Sequence, residues 1–177
     1  MSVANPAIGV GDIKSDEKGS GARFNTGKPA MELIPVWIVA YNESIFYRIR
    51  GAKSIEMSET LNVLQALGEW QKGTCSISDV IQNFSTSVWE DCANVFSYGA
   101  KKYAEWNWIK GMKWSIPVAC IVRHSLAILR GETVDPESGL PHRGHIACNL
   151  VMLAQFEQTY PEGNDLPTKW LTKVDHT

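Results

Sequence analysis

Three of the four histidines, His124, His142 and His145, fall close together in the chain, and the segment after the first, Glu132-Thr133-Val134-Asp135-Pro136-Glu137, carries three carboxylates. Imidazole nitrogens and carboxylate oxygens are the common ligands of divalent ions. Mg²⁺ takes carboxylate and water oxygens, whereas histidine favours Mn²⁺, Co²⁺ or Zn²⁺. If the carboxylates hold the ion, His124 and His142 are left to contact phosphate or to move protons. Two bland readings stand beside this one: a hydrogen-bonded histidine pair capping a core, and a solvated acidic loop. A second cluster runs from Tyr98 to Trp108. Its Lys102 lies near the buried face of a helix, where a lysine either snorkels or meets an anion. Asn107 beside Trp108 suits hydrogen bonding to a base edge and stacking of a base, although each tryptophan taken alone is ordinary packing. The third piece is Arg23 to Lys28, basic residues around a glycine in an arm that would close over an anion or stay solvated. No Walker-type phosphate loop is present.

Helices must position these groups. Val88, Cys92, Val95, Phe96, Gly99 and Tyr103 repeat on one face, behind a capping box of Ser87 and Glu90, and Gly99 is expected to permit close approach of a neighbouring helix. A second helix is expected from about Pro117 to Gly131 and a third from His142 to about Gln158. In the third, His142, His145 and Asn149 share the face that Met152, Leu153 and Phe156 continue. Earlier in the chain, a helix is expected over 59–72, with Ser58 as N-cap and Gly73 as stop, and a short one near 79–83. Residues 31–50 are ambiguous between helix and strand. The chain thus reads as mainly α, a helical bundle with residues 1–22 as a flexible N-terminal arm, residues 23–160 as one catalytic domain and 161–177 as an irregular tail.

Composition bounds the partners. The 177 residues carry a net charge of −2, with 20% charged and 44% hydrophobic residues, which fits a folded domain and argues against nucleic-acid binding through bulk charge. The longest apolar stretch, Leu33 to Tyr41, is interrupted by Pro35 and is too short to span a membrane. The four cysteines have no C-x-x-C pairing, so buried reduced thiols and a cytoplasmic location are expected.

The ordered strings Arg23-Phe24-Asn25-x-Gly27-Lys28-Pro29, Tyr98-Gly99-Ala100-x-Lys102-Tyr103, Asn107-Trp108, Arg123-His124, Gly131-Glu132-x-x-Asp135, Glu137-Ser138-Gly139-Leu140 and His142 resemble the phage-associated dATP/dGTP diphosphohydrolases of the MazZ type, grouped with MazG-like nucleotide pyrophosphohydrolases. The likeness covers about 21–35 and 86–157, leaving 36–85 as an insertion. It implies the all-α nucleoside triphosphate pyrophosphohydrolase fold and a homo-oligomer. It also implies Mg²⁺-dependent (or Mn²⁺- or Co²⁺-dependent) hydrolysis of dGTP and dATP to the monophosphates and pyrophosphate. In phages that replace adenine by 2-aminoadenine, such an enzyme supplies dGMP and removes dATP. MazG-like enzymes hold metal with Glu-x-x-Glu followed by Glu-x-x-Asp. Glu132-x-x-Asp135 matches the second element, while the only Glu-x-x-Glu, Glu56 to Glu59, lies far upstream.

On this reading Glu132, Asp135 and His124 are catalytic, and Glu132, Asp135, Glu137 and His142 hold the metal. Arg23, Asn25, Lys28, Lys102, Tyr103, Asn107, Trp108 and Arg123 bind substrate. The competing readings are an HD-like nucleotide phosphohydrolase, against which the absence of a His-Asp dipeptide counts, and a non-enzymatic nucleotide-binding phage protein.

Overall fold

The computed structural model describes residues 11–172, so residues 1–10 of the arm and 173–177 of the tail lie outside the described residues. Seven α-helices occur among the described residues, α1 (Val36–Arg50), α2 (Ile55–Lys72), α3 (Ile77–Ile81), α4 (Val88–Lys102), α5 (Ser115–Leu129), α6 (His142–Thr159) and α7 (Thr168–Leu171). Strand-like pairing among them is limited to one isolated antiparallel bridge, Val134 with Pro141. The architecture is an all-α bundle.

Helix α6 is its axis. Its residues are buried on nearly every side, from His142 and His145 through Leu150 and Leu153 to Phe156, as expected of a helix packed on several neighbours at once. Helices α4 and α5 pack most extensively on it, and α3 also touches it. Close approach of α4 comes through Gly144, where an added Cβ would sit 2.7 Å from the Asp91 carbonyl oxygen. Gly99 does not have the role its stripe implied, because nothing lies within 4 Å of where its Cβ would be. The turn of α4 that bears it faces a cavity instead of a helix.

Residues 36–85 form α1 to α3 and join the same core through Val63, Leu64, Leu67, Ile77 and Val80. The ambiguous stretch is helical. Pro35 offers no side-chain cap to α1, and the buried Gln71 carboxamide of α2 accepts from the Val36 amide instead, at 2.9 Å. Two local expectations are corrected. Helix α2 starts a turn earlier than its pattern implied, capped by Ser54, whose Oγ accepts from the Met57 amide. The Ser87–Glu90 capping box does not form, because Arg143 Nη2 donates to Ser87 Oγ at 3.2 Å while its Nε pairs with Asp91 at 2.6 Å. The capping box that does form is Ser76 with Asp79, at the start of α3.

The described part of the arm lies along the body. Gly19 and Gly21 donate to the carbonyls of Lys110 and Gly111, and Gly21 and Ala22 are buried. That contact delivers Arg23 to the side of α5 and α6. After Pro161 the chain makes a short 3-10 turn and then α7, so the tail is less irregular than expected.

Candidate active site

The connection from α5 to α6 is a compact loop. Its ends are joined by the Val134–Pro141 bridge, and the Asp135 amide donates to the Leu140 carbonyl at 2.9 Å. Asp135 Oδ2 accepts from the amide and the hydroxyl of Ser138 at 2.9 and 2.8 Å, a local turn of the kind aspartate favours. Ser138 Oγ also lies 2.8 Å from His145 Nε2, so the loop's acid is tied to the α6 histidine through one hydroxyl.

The three histidines meet. His124 Nδ1 and His142 Nδ1 are 2.8 Å apart, and the His124 and His145 rings stack with centroids 4.4 Å apart. Burial, with the neighbouring histidines and Arg23 and Arg123, pushes His124 down to about 2. Burial likewise pushes His145 down to about 4 and lowers His142. All three are therefore neutral near pH 7, and each ring then carries one nitrogen lone pair; a cation held by His124 and His142 would replace the hydrogen bond between them. One ligand atom from each of His124, Asp135 and His142 falls within 4.8 Å of the others. His142 Nε2 is buried and has no hydrogen-bond partner, a cost that a ligand would relieve. Two neutral imidazoles and a carboxylate fit a divalent ion of the Mn²⁺ or Co²⁺ kind better than Mg²⁺.

The other expected metal ligands stand differently. Glu132 pairs with Arg130 through Oε1 at 3.0 Å, and its Oε2 lies 3.9 Å from His142 Nε2, at the margin of the triad. Glu137 is held between Lys28 at 2.9 Å and Lys102 at 2.7 Å. These two hydrogen-bonded ammonium groups hold its carboxyl down at about 2.

One cavity of about 860 Å³ gathers most of these groups, within the size range of small-molecule sites. Arg23, Lys28, Lys102 and Arg123 line it together with His124, Glu132, Asp135, Glu137, His142 and His145, and so do Tyr103, Asn107 and Trp108. Of the expected substrate-binding residues, Asn25 alone is not part of its wall. Asn25 Oδ1 instead accepts from Arg123 Nη2 at 2.7 Å, which orients that guanidinium. Tyr103 Oη accepts from the Phe24 amide at 2.9 Å and so clasps the arm to α4. Trp108 packs on Phe96 and Phe156, with ring centroids 5.1 and 6.5 Å away.

The family described as dATP/dGTP diphosphohydrolase, N-terminal, matches residues 67–166. The chain belongs to that family. A dATP/dGTP diphosphohydrolase from Salmonella phage PMBT28 is 30% identical over 85 residues, 48% of this chain and 28% of that relative. The chain thus spans little more than a quarter of the curated relative's length. No solved structure matches it. The family match takes in the α5–α6 loop, all three clustered histidines, Lys102 and Asn107, and leaves out Arg23, Asn25 and Lys28. Within the family's frame, sequence reasoning passed over Ser138 and Cys120 as site residues. Ser138 was visible as a hydroxyl three residues after Asp135. Cys120, in the cavity wall, accepts from Arg123 Nη2 at 3.0 Å. Burial works to raise its thiol, but Arg23 and Arg123 outweigh that and bring it below the ordinary value. No feature of the sequence marked it out.

Proposed function

We propose that this chain hydrolyses the purine deoxynucleoside triphosphates dATP and dGTP to the monophosphates and pyrophosphate. The observation that carries the reading is a single cavity in which four cationic side chains, a His124–Asp135–His142 donor set and an aromatic wall converge. The family and the phage relative supply the substrate class. His124, Asp135 and His142 would hold the divalent ion, with Glu132 beside them. When bound, such an ion neutralises phosphate charge and lowers the pKa of a water.

The remaining chemistry belongs to the chain. Water adds to the α-phosphorus, the bond to the bridging oxygen breaks, and the electron pair leaves on pyrophosphate. Glu132 Oε2, facing His142, takes the water's proton. Arg23, Arg123, Lys28 and Lys102 hold the triphosphate and stabilise the charge that develops on the leaving group. Glu137 keeps the two lysines placed before substrate arrives. In a phage that uses 2-aminoadenine, the activity would supply dGMP and deplete dATP in the host cytoplasm. No described helix is long and apolar enough to cross a membrane.

The test is a screen of all nucleoside and deoxynucleoside triphosphates with Mg²⁺, Mn²⁺ and Co²⁺, resolving pyrophosphate from phosphate and from intact triphosphate. Pyrophosphate from dATP and dGTP is expected, with Mn²⁺ or Co²⁺ above Mg²⁺. Intact triphosphate would instead mark the HD-like reading.

Self-association belongs to the same proposal. Helix α1 buries only Val36 and Ala40 and exposes Trp37, Ile38, Tyr41, Ile45, Phe46 and Ile49. A second copy of this chain is the occupant that the family likeness favours for so large an apolar face. Light scattering is expected to give a mass that is a multiple of 19.7 kDa, and Ile45→Glu with Phe46→Glu to return it to the single-chain value. A native monomer would sink this.

A further inference from the structure

Asn107 is 5% exposed and lies in the cavity wall, yet its Oδ1 has no hydrogen-bond partner. Its Nδ2 reaches only the Ala22 carbonyl oxygen, at 3.4 Å. A buried acceptor left unmade is costly, and its place in a cavity wall assigns it a donor carried in by a ligand. The backbone before it is also unusual. Ala104 (φ 146°) and Trp106 (φ 57°) are the two non-glycine residues with positive φ among the described residues, and both precede Asn107 in the same turn. Strain of this kind persists where the surroundings enforce it, commonly at ligand sites. The same turn presents Trp106, 67% exposed and lining the cavity, as a flat surface on which a base can stack.

Resting on the purine triphosphate reading above, we propose that the Asn107 carboxamide reads the Watson–Crick edge of the base and, by turning through 180°, admits both adenine and guanine. The two edges run in opposite order. Adenine offers the N6 donor beside the N1 acceptor, whereas guanine offers the O6 acceptor beside the N1–H donor. A fixed donor–acceptor pair matches one of them. A carboxylate matches guanine alone, because it can accept from N1–H and the adjacent N2 amino group, whereas on adenine one of its oxygens faces the N1 lone pair. A carboxamide matches both by exchanging its oxygen and nitrogen, which have nearly the same shape; the turn gives up only the long 3.4 Å contact of Nδ2 with the Ala22 carbonyl oxygen. Pyrimidines carry the same two edge patterns, so Asn107 sets tolerance between the purines, while the aromatic wall sets purine over pyrimidine.

The test has a variant arm and a substrate arm, both read as pyrophosphate release. In Asn107→Asp the ratio of kcat/KM for dGTP over dATP is expected to rise at least about tenfold, mostly by loss of dATP, whereas Asn107→Leu lowers both substrates alike. With the native chain, 1-methyl-dGTP, blocked at N1, is expected to lose at least about tenfold, while 7-deaza-dGTP, altered on the opposite edge, stays within about threefold of dGTP. The substrate arm decides the matter if Asn107→Asp does not fold. Turnover of 1-methyl-dGTP at the dGTP rate, or a folded Asn107→Asp whose ratio moves by less than about twofold, overturns the proposal. A native chain that hydrolyses neither dATP nor dGTP overturns the purine reading itself, and this inference with it.

Discussion

Asp135→Asn is expected to lower pyrophosphate release at least about a thousandfold while the fold survives. The substitution keeps the size of the side chain and an oxygen that can accept from the Ser138 amide and hydroxyl, so the α5–α6 loop retains its turn. It removes the one negative charge of the three-membered donor set, leaving two neutral imidazoles facing a doubly charged ion. Affinity for Mn²⁺, read by titration calorimetry in the absence of nucleotide, should fall at least about a hundredfold, the scale at which disturbed ligand shells are felt. The readouts are independent. Lost turnover with unchanged Mn²⁺ affinity would move Asp135 out of the metal site and leave it as a loop anchor. Native turnover would remove it from the active site altogether.

The sequence exposed α4 and α6 through what each places on one face. Helix α4 has a single apolar stripe against α6, so its period is plain, and α6 shows polar site residues followed by apolar core on one face. Helix α1 concealed itself because its apolar residues are not confined to one side: Val36 and Ala40 are buried, Val39 and Tyr47 pack against the core, and six others form an exposed face. Its N-terminal cap was equally hidden, since Gln71 supplies it from the next helix.

The site shows the same division between local and distant causes. The loop acids and the α6 histidines were legible because they are neighbours in the chain. That His124 meets His142 and stacks on His145 depends on how α5 crosses α6, which no local pattern encodes. Glu137 shows the limit most clearly. Read beside Glu132 and Asp135, it belongs with the metal ligands, but its partners Lys28 and Lys102 come from 109 and 35 residues away. They turn that carboxylate into a lysine holder. Gly99 likewise lies on a helix stripe whose far end faces a cavity.

The histidine cluster should make the metal-free chain acid-sensitive. In the unfolded chain a histidine takes up its proton near its ordinary value of 6.5, whereas in the folded chain His124 waits until about 2 and His145 until about 4. Below pH 6.5 the unfolded state therefore binds more protons than the folded one, and stability falls as pH falls. Each such histidine contributes about 1.4 kcal/mol per pH unit. From pH 7 to pH 5, His124 and His145 together are expected to remove roughly 4 kcal/mol, a large share of a domain's usual 5–15 kcal/mol. Glu137 acts in a lower window. Its folded value of about 2 lies below the ordinary 4.5, so its stabilising contribution persists above pH 4.5 and is lost only beneath it. The loss between pH 6.5 and 4.5 thus belongs to the imidazoles. Urea unfolding in EDTA at pH 7, 6 and 5 measures it. His124→Asn, which keeps a polar side chain but cannot titrate, should flatten the slope by about a third to a half, since His142 is lowered too. Equal stability at pH 7 and 5, or a slope that His124→Asn leaves unchanged, would show that the buried rings accept protons in the folded chain as readily as they do in water.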